Sequence, residues 1–375
     1  MNNAGEKLQT FIFSSVHPWN DVRIYHKQAV SLAKKFSVEL HAPATFSYEE
    51  ENNVRIFGLP QWSSKMSRVR TFVILFWRIL RSKADVFHFH DPELILLGLF
   101  AKFIKGKCVV YDVHENTRQL IRERNWIPEI FRGALFWIFS MLESASMRYF
   151  DSIILAEDSY QSFMPENSHI IHNYPLWEEN GNTSKTIDII YVGGVLKERG
   201  AIEMVKIAAS LKSEYPGFLM KIVGPISGRM KETLSQLIFD NDLTENVVLS
   251  GRLDYQVAMQ DIAGSKIGLA ILHPIDNYID SLPTKLFEYM RFGVPYIASD
   301  FEYWRSLFEN DNAGYFIPHD NIPLAVEKIK YLLRNDTIRA EFGRRGMALA
   351  KHKYSWESEE KQLFHVYAEI AKKLD

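Results

Sequence analysis

The sequence predicts an α/β protein of two doubly wound domains, each a mostly parallel sheet with helices on both faces. Three observations lead there. Short apolar runs alternate with helix-period segments along almost the whole chain, the pattern of parallel strands joined by crossover helices. The alternation stops once, between residues 174 and 186, where Pro175, Glu178, Glu179, Asn180, Gly181, Asn182 and Ser184 follow no period. The 375 residues also exceed what one hydrophobic core usually organises.

Taken in order, residues 10–13 read as the first strand, and Asp21 caps a helix running to about Lys35. Residues 38–40, 54–57, 85–89, 108–111, 152–155 and 169–171 read as further strands, with helical segments between most of them. After the break, strands are expected at 187–192, 219–223, 247–249, 267–272, 296–298 and 315–317. Long helices are expected near 324–333 and 355–373. This places one domain at 1–174, a linker at 175–186, a second domain at 187–353 and a closing helix at 354–375. In such sheets ligands bind beyond the carboxyl ends of the strands.

Composition excludes several classes. Hydrophobic residues make up 47% and charged residues 24%, as in ordinary globular proteins, and a net charge of −2 offers no bulk attraction for nucleic acid. The single cysteine, Cys108, forbids an internal disulfide, fits a reducing compartment and reads as a buried strand residue. Residues 1–7 are polar and lead straight into a strand, so no secretory leader is read there. No apolar run approaches the ~20 residues of a membrane span, so a cytoplasmic protein is expected, with contact to a membrane surface left open.

Two motifs in the second half carry chemistry. The first is Tyr191-Val192-Gly193-Gly194, followed by Arg199-Gly200. A strand ends in paired glycines, a loop carries a cation and a helix opens near Gly200. Glycines let backbone approach a phosphate, a helix start offers free N–H groups, and arginine supplies a forked donor. The alternative is a tight left-handed turn with a surface arginine. The second motif runs Asp280-Ser281-Leu282-Pro283-Thr284-Lys285-Leu286-Phe287-Glu288. Pro283 suits the first turn of a helix. Leu286, Phe287 and Met290 would anchor that helix, while Glu288 offers acceptors for a pair of sugar hydroxyls. A solvated amphipathic helix is the plainer alternative.

These residues resemble glycosyltransferase family 4, the group 1 glycosyltransferases of GT-B fold. The family signature pairs two carboxylates with seven residues between, here Asp280 and Glu288. The resemblance implies two Rossmann-like domains facing across a cleft, with a C-terminal helix crossing back to the first. It implies that Glu288 holds the donor ribose and Asp280 the transferred sugar. This chain departs from the usual glutamate at position 280. Gly193, Gly194 and Arg199 resemble the family's glycine loop without its first cation, so the diphosphate would rest on Arg199, backbone amides and Lys285. Gly224 and Arg252 resemble strand-end positions near the nucleotide. The resemblance implies a retaining, metal-independent hexosyl transfer from a nucleotide sugar, with no cofactor, to a glycan or lipid-linked acceptor of surface polysaccharide synthesis.

The first half carries histidines. His88, His90 and Asp91 follow one strand, and His114 and Glu115 follow the next. A metal set of His88, His90, Asp91 and His114, structural histidines at strand ends, and an acceptor-side site all remain open readings. The resemblance places His114 against the donor sugar, with His90 and Glu115 beside it. His17, near Asp21 in the first strand-to-helix turn, is a further acceptor-side candidate.

Residues 55–83 hold Lys65, Arg68, Arg70, Arg78 and Arg81 and no acid, with aromatic residues at helical spacing. A helix over 65–83 therefore suits either the fold or an anionic membrane surface. The apolar segment 130–150 is expected to pack on the sheet. Two rivals remain: a sugar-nucleotide epimerase on the same architecture and a non-catalytic partner subunit. A dinucleotide-dependent dehydrogenase is disfavoured, since no Gly-x-Gly-x-x-Gly opens either half.

Overall fold

A computed structural model describes residues 7–61, 65–113, 121, 129–163, 165–177, 183–308 and 311–374. The chain divides into two compact units, residues 1–173 with 356–375, and residues 174–355.

In the first unit, β1 (Gln9–Phe13) lies between β2 (Ser37–Pro43) and β5 (Val86–Phe89). The sheet continues on one side through β4 (Val54–Leu59) to β3 (Tyr48–Glu51). On the other side it runs through β6 (Cys108–Val113) and β7 (Ser152–Leu155) to β8 (Ser168–Ile170). Every pairing is parallel except β3–β4. That hairpin turns at Asn52 and Asn53, both at positive φ, as its tight turn demands. The helix expected from Asp21 begins as a π-helix, Val22–Ala29, and continues as α1 (Val30–Ala33). Asp21 caps it, accepting from the Arg23 and Ile24 amides at 2.9 Å each. One sheet face is covered by α2 (Lys65–Arg81), α3 (Ile95–Phe103) and α4 (Glu129–Met147). Their Leu75, Ile79, Leu97 and Met147 join Phe11, Phe13, Phe87 and Phe89 in one core.

The closing helix α13 (Trp356–Leu374) belongs to this unit. Trp356 is buried and donates its indole N–H to Ser31 Oγ at 2.9 Å, and the Tyr367 hydroxyl lies 2.9 Å from His88 Nδ1. Glu359 accepts the His172 amide at 2.7 Å.

The second unit is an all-parallel six-stranded sheet ordered β11-β10-β9-β12-β13-β14. Its strands are β9 (Ile187–Val192), β10 (Met220–Val223), β11 (Val247–Gly251), β12 (Ser265–Ala270), β13 (Tyr296–Ser299) and β14 (Gly314–Ile317). Counted from β9 this is order 3-2-1-4-5-6, which reverses direction between β9 and β12. Alternate strand residues feed two cores. Ile189, Ile222, Ile267 and Leu269 pack with α5 (Ala201–Lys212), α6 (Gly228–Asp240) and α11 (Ile322–Arg334). Ile190, Val223 and Ala298 pack with α7 (Tyr255–Ala263), α9 (Thr284–Arg291) and α10 (Glu302–Phe308). A short α8 (Asp276–Ile279) precedes α9, and α12 (Asp336–His352) follows α11.

Candidate functional site

The reversal of strand order in the second unit sets the site. Strands β9 and β12 send their following loops in opposite directions, which leaves a crevice at their carboxyl ends. Gly193 and Gly194 follow β9 directly. Gly193 donates to Val223 O at 2.9 Å and Val195 to Pro225 O at 2.9 Å, so the glycine turn is fixed to the end of β10. Gly224 stands at φ 145°, and a Cβ there would fall 1.8 Å from Gly193 O. The turn needs glycine at that neighbour for space as much as for conformation. A single 3₁₀ turn, Lys197–Arg199, then leads through left-handed Gly200 into α5. His273, beyond β12, donates its amide to Glu198 O at 2.8 Å and ties the two loops together.

Two cations meet over this turn. A Cβ on Gly193 would stand 2.5 Å from Lys285 Cε, and one on Gly194 would stand 3.6 Å from an Arg199 terminal nitrogen. Arg199 Nε donates to the Tyr278 hydroxyl at 3.0 Å, with the guanidinium 5.4 Å from that ring's centroid. The Tyr191 hydroxyl donates to Gly194 O at 2.8 Å. Burial and the Arg199 charge, against the pull of Glu288, bring the Lys285 ammonium down to about 8. Burial opposes the Arg199 charge, but its bond to Tyr278 prevails and holds its pKa above the ordinary value. A pair of mutually repelling cations on a glycine turn is chemically matched to a diphosphate.

The helix bearing Lys285 is set close to the sheet by Gly268 in β12. A Cβ on Gly268 would fall 2.4 Å from the Tyr289 ring, and that ring's hydroxyl donates to Leu269 O at 2.8 Å. Glu288 is half-buried, one turn beyond Lys285 on α9. Pro283 is the N-cap of α9, one position earlier than its expected place inside the first turn. Ser281 O accepts the Trp304 indole N–H at 2.8 Å, Leu282 and Pro283 are buried, and Thr284 is exposed. Asp280 is exposed at the end of α8, two residues after Tyr278. Arg252 is exposed beyond the edge strand β11. The structure thus gathers Gly193, Gly194, Gly224, Arg199, Lys285 and Glu288. Asp280 and Arg252 stand at its margins in solvent. Tyr191, which opens the glycine motif but has no expected role in it, and Tyr278 of α8 belong to the cluster; a lone tyrosine in so short a helix gives no sequence signal.

The first unit has its own reversal, between β1 and β5. Asp91 Oδ2 accepts from Ser14 Oγ at 2.8 Å and Ser15 Oγ at 3.1 Å, and Oδ1 lies 3.4 Å from His17 Nε2. Ser15 Oγ also lies 2.8 Å from Glu93 Oε1, so its single proton serves one of the two carboxylates at a time. Beneath, His90 Nδ1 lies 2.9 Å from Asp112 Oδ2, and Arg23 grips both Asp112 oxygens at 2.8 and 2.7 Å. Burial pushes the Asp112 carboxyl up, but Arg23 and His90 outweigh it and hold it well below the carboxylate range. His114 and Glu115 lie outside the described residues.

Donor atoms of His88, His90 and Asp112 lie within 4.8 Å of one another. Asp112 is already neutralised by the Arg23 fork and also accepts from Gln28 at 3.0 Å, while His88 meets Tyr367. Asp91, a member of the metal set that is one of the open readings of the sequence, is engaged with Ser14, Ser15 and His17.

Each unit is a doubly wound sheet of mainly parallel strands, and the chain as a whole shares its fold with solved glycosyltransferases of the GT-B class. Residues 176–348 match the family described as glycosyl transferases group 1. The chain is 29% identical over 299 residues to a phosphatidyl-myo-inositol mannosyltransferase of Mycobacterium leprae, covering 76% of this chain and 74% of the relative. Among solved structures it resembles sucrose-phosphate synthase from Thermosynechococcus elongatus, with a TM-score of 0.76, 13% identity, and 98% and 100% of the two chains covered. It also resembles HepE of Anabaena in complex with UDP, with a TM-score of 0.69, 13% identity, and 96% and 100% covered. At that identity these likenesses establish the fold.

Proposed function

We infer that the protein is a retaining, metal-independent transferase that moves a hexosyl group from a nucleoside-diphosphate sugar to a glycan or lipid-linked acceptor in surface polysaccharide synthesis. The observation that carries this reading is the convergence of Arg199 and Lys285 on the glycine turn at the β9/β12 reversal, one helical turn from Glu288. In this reading the Gly193–Gly194 backbone, Arg199 and Lys285 receive the diphosphate. Glu288 accepts hydroxyls of the ribose, and Asp280 contacts the transferred sugar from solvent. As the glycosidic bond of the donor breaks, negative charge grows on the leaving diphosphate, and the two cations offset it in place. The acceptor oxygen enters on the face the diphosphate leaves, which preserves the anomeric configuration without a protein nucleophile. The name of the Mycobacterium leprae relative supports a lipid acceptor, and one similar structure, in complex with UDP, supports a uridine nucleotide.

No helix of the described residues is long and apolar enough to cross a membrane. The proposed place of action is the cytoplasmic face, with the acceptor presented there. A thermal-shift panel of UDP-, GDP- and ADP-sugars tests the donor site. One nucleotide class should raise the melting temperature of the wild type, and Glu288→Ala should abolish that rise. If Glu288→Ala leaves every shift intact, the assignment is wrong. Incubating the responsive donor without acceptor separates this reading from an epimerase, which would alter the sugar.

A further inference from the structure

The face of the first unit covered by α2, α3 and α4 has an unusual outer surface. The inner sides of these helices complete the core. On α4, Phe131, Leu135, Ile138 and Leu142 form an exposed row at helical spacing, with Trp137 (71% exposed) and Met141 (66%) beside it. The polar residues of α4 turn the other way. Glu143 is 2% exposed and accepts the Tyr111 hydroxyl at 3.2 Å, and Ser146 is buried with its hydroxyl on Leu142 O at 2.7 Å. A helix meeting water is patterned the opposite way. Residues 130–150 do pack on the sheet, but most of their apolar surface faces outward.

Neighbouring helices extend the patch. Phe76 of α2 meets Phe100 of α3 at 4.9 Å, and Phe103 meets Tyr149 beyond α4 at 5.1 Å. Leu96, Phe103 and Ile104 are exposed around α3, and Val69, Val73, Trp77 and Leu80 line the outer side of α2. An apolar surface of this breadth exceeds the scattered exposure normal for a soluble monomer.

Charge selects the occupant. Neither α2 nor α3 contains an acid. Arg78 turns inward to the Phe57 and Gly58 carbonyls, but Arg70 and Arg81 are exposed, the latter 5.5 Å from the Trp77 ring. Lys83 and Arg148 are exposed nearby, while Asp85, Asp151 and Glu93 each face a cation of their own. A second copy docked here would set cationic rims against each other. An anionic bilayer takes the apolar side chains into its acyl region and the arginines onto its headgroups.

We propose that α2, α3 and α4 form a docking face for an anionic phospholipid bilayer, with Trp137, Ile138 and Met141 inserted among the lipid chains and Arg70 and Arg81 on the headgroups. The proposal extends the expectation for residues 65–83 to a three-helix surface and stands independently of the donor site. It gives the enzyme residence at the surface where a lipid-linked acceptor is held.

The test is co-sedimentation of the full chain with vesicles of phosphatidylcholine alone and of phosphatidylcholine with phosphatidylglycerol. The wild type should bind the anionic vesicles, and added salt should weaken that binding. Joint replacement Trp137→Ser, Ile138→Ser and Met141→Ser should lower partitioning on the order of 100-fold. Arg70→Glu with Arg81→Glu should erase the preference for anionic lipid. The melting-temperature rise given by whichever of the UDP-, GDP- and ADP-sugars the wild type answers to is read in the same variants; its retention shows that they are folded and separates a failure here from a failure of the donor site. Unchanged vesicle binding by the triple variant overturns the proposal. So does a wild type that ignores vesicles and, by light scattering, forms a dimer that the triple replacement dissociates.

Discussion

Replacing Lys285 by methionine should move stability and ligand affinity in opposite directions. The lysine stem packs on Gly193, and methionine keeps most of that contact while removing the charge. In the unliganded fold the ammonium is displaced from 10.5 to about 8, by burial and by Arg199. Holding it charged near neutrality therefore costs the fold up to about 3 kcal/mol, less to the extent that solvent reaches the side chain. The sign follows from proton counting. Between pH 8 and 10.5 the unfolded chain holds the proton that the folded chain has lost, so wild-type stability rises with pH in that window. Below it the penalty is fully present.

The variant should thus resist urea better than wild type at pH 7 by about 1–3 kcal/mol, with the gap closing as pH approaches 10.5. A bound diphosphate reverses the balance by supplying the countercharge. Losing one charge-assisted contact should weaken UDP binding about 10- to 100-fold in calorimetry. Wild-type affinity should also fall as pH rises past about 8, where binding must first reprotonate Lys285, and the variant should lack that slope. A variant that is less stable than wild type yet binds UDP within about twofold of it would show the ammonium to be structural, and the reasoning fails.

Three further outcomes follow from the geometry. Gly224→Ala drives a methyl to 1.8 Å from Gly193 O at a positive φ, so it should destabilise the second unit by about 1–3 kcal/mol in urea and reduce UDP binding by displacing the glycine turn. Asp112→Asn leaves Arg23 buried without its countercharge and should cost about 3–5 kcal/mol; because Asp112 is held well below 3.8, that difference should persist above pH 3.8 and shrink only as acid protonates the wild-type carboxylate. Burial lowers the His172 pKa, but bonds to Asp158 and Glu359 prevail and raise it to about 9, so His172→Ala should remove a stabilisation fully present below pH 6.5 and gone by about pH 9, read by urea titration across that range.

Most strands were legible because they are buried on both faces and so read as continuous apolar runs; Ile187, Ile189, Ile190 and Tyr191 of β9 are all buried. The edge strand β3 was not, because Tyr48, Glu49, Glu50 and Glu51 are all exposed and have no alternation to show. Its only local trace was the Asn52–Asn53 pair that turns the hairpin. The glycine turn, Arg199, Lys285 and Glu288 stood out through local spacing around strand ends and a helix start. Arg23 and Asp112 did not, since 89 residues separate two groups that only the sheet brings together. Helix α4 does pack on the sheet, through Met147 in the core and Glu143 on Tyr111, but its outward apolar row was not legible, because apolar content alone cannot say which side of a helix meets the core.

The two reversals of strand order make the same opening and fill it differently. In the first unit polar groups satisfy one another: Asp91 holds Ser14 and Ser15, and the Arg23 fork answers Asp112. Breaking such a set leaves a buried charge exposed to its full desolvation cost, so its local effect is to hold the floor of the opening rigid. In the second unit two cations meet over the glycine turn, and with Glu288 only partly offsetting them the fold carries the strain of Lys285 beside Arg199 at neutral pH. A fold retains such a conflict where a ligand resolves it. The electrostatic demand for an anion therefore lies beyond β9 and β12.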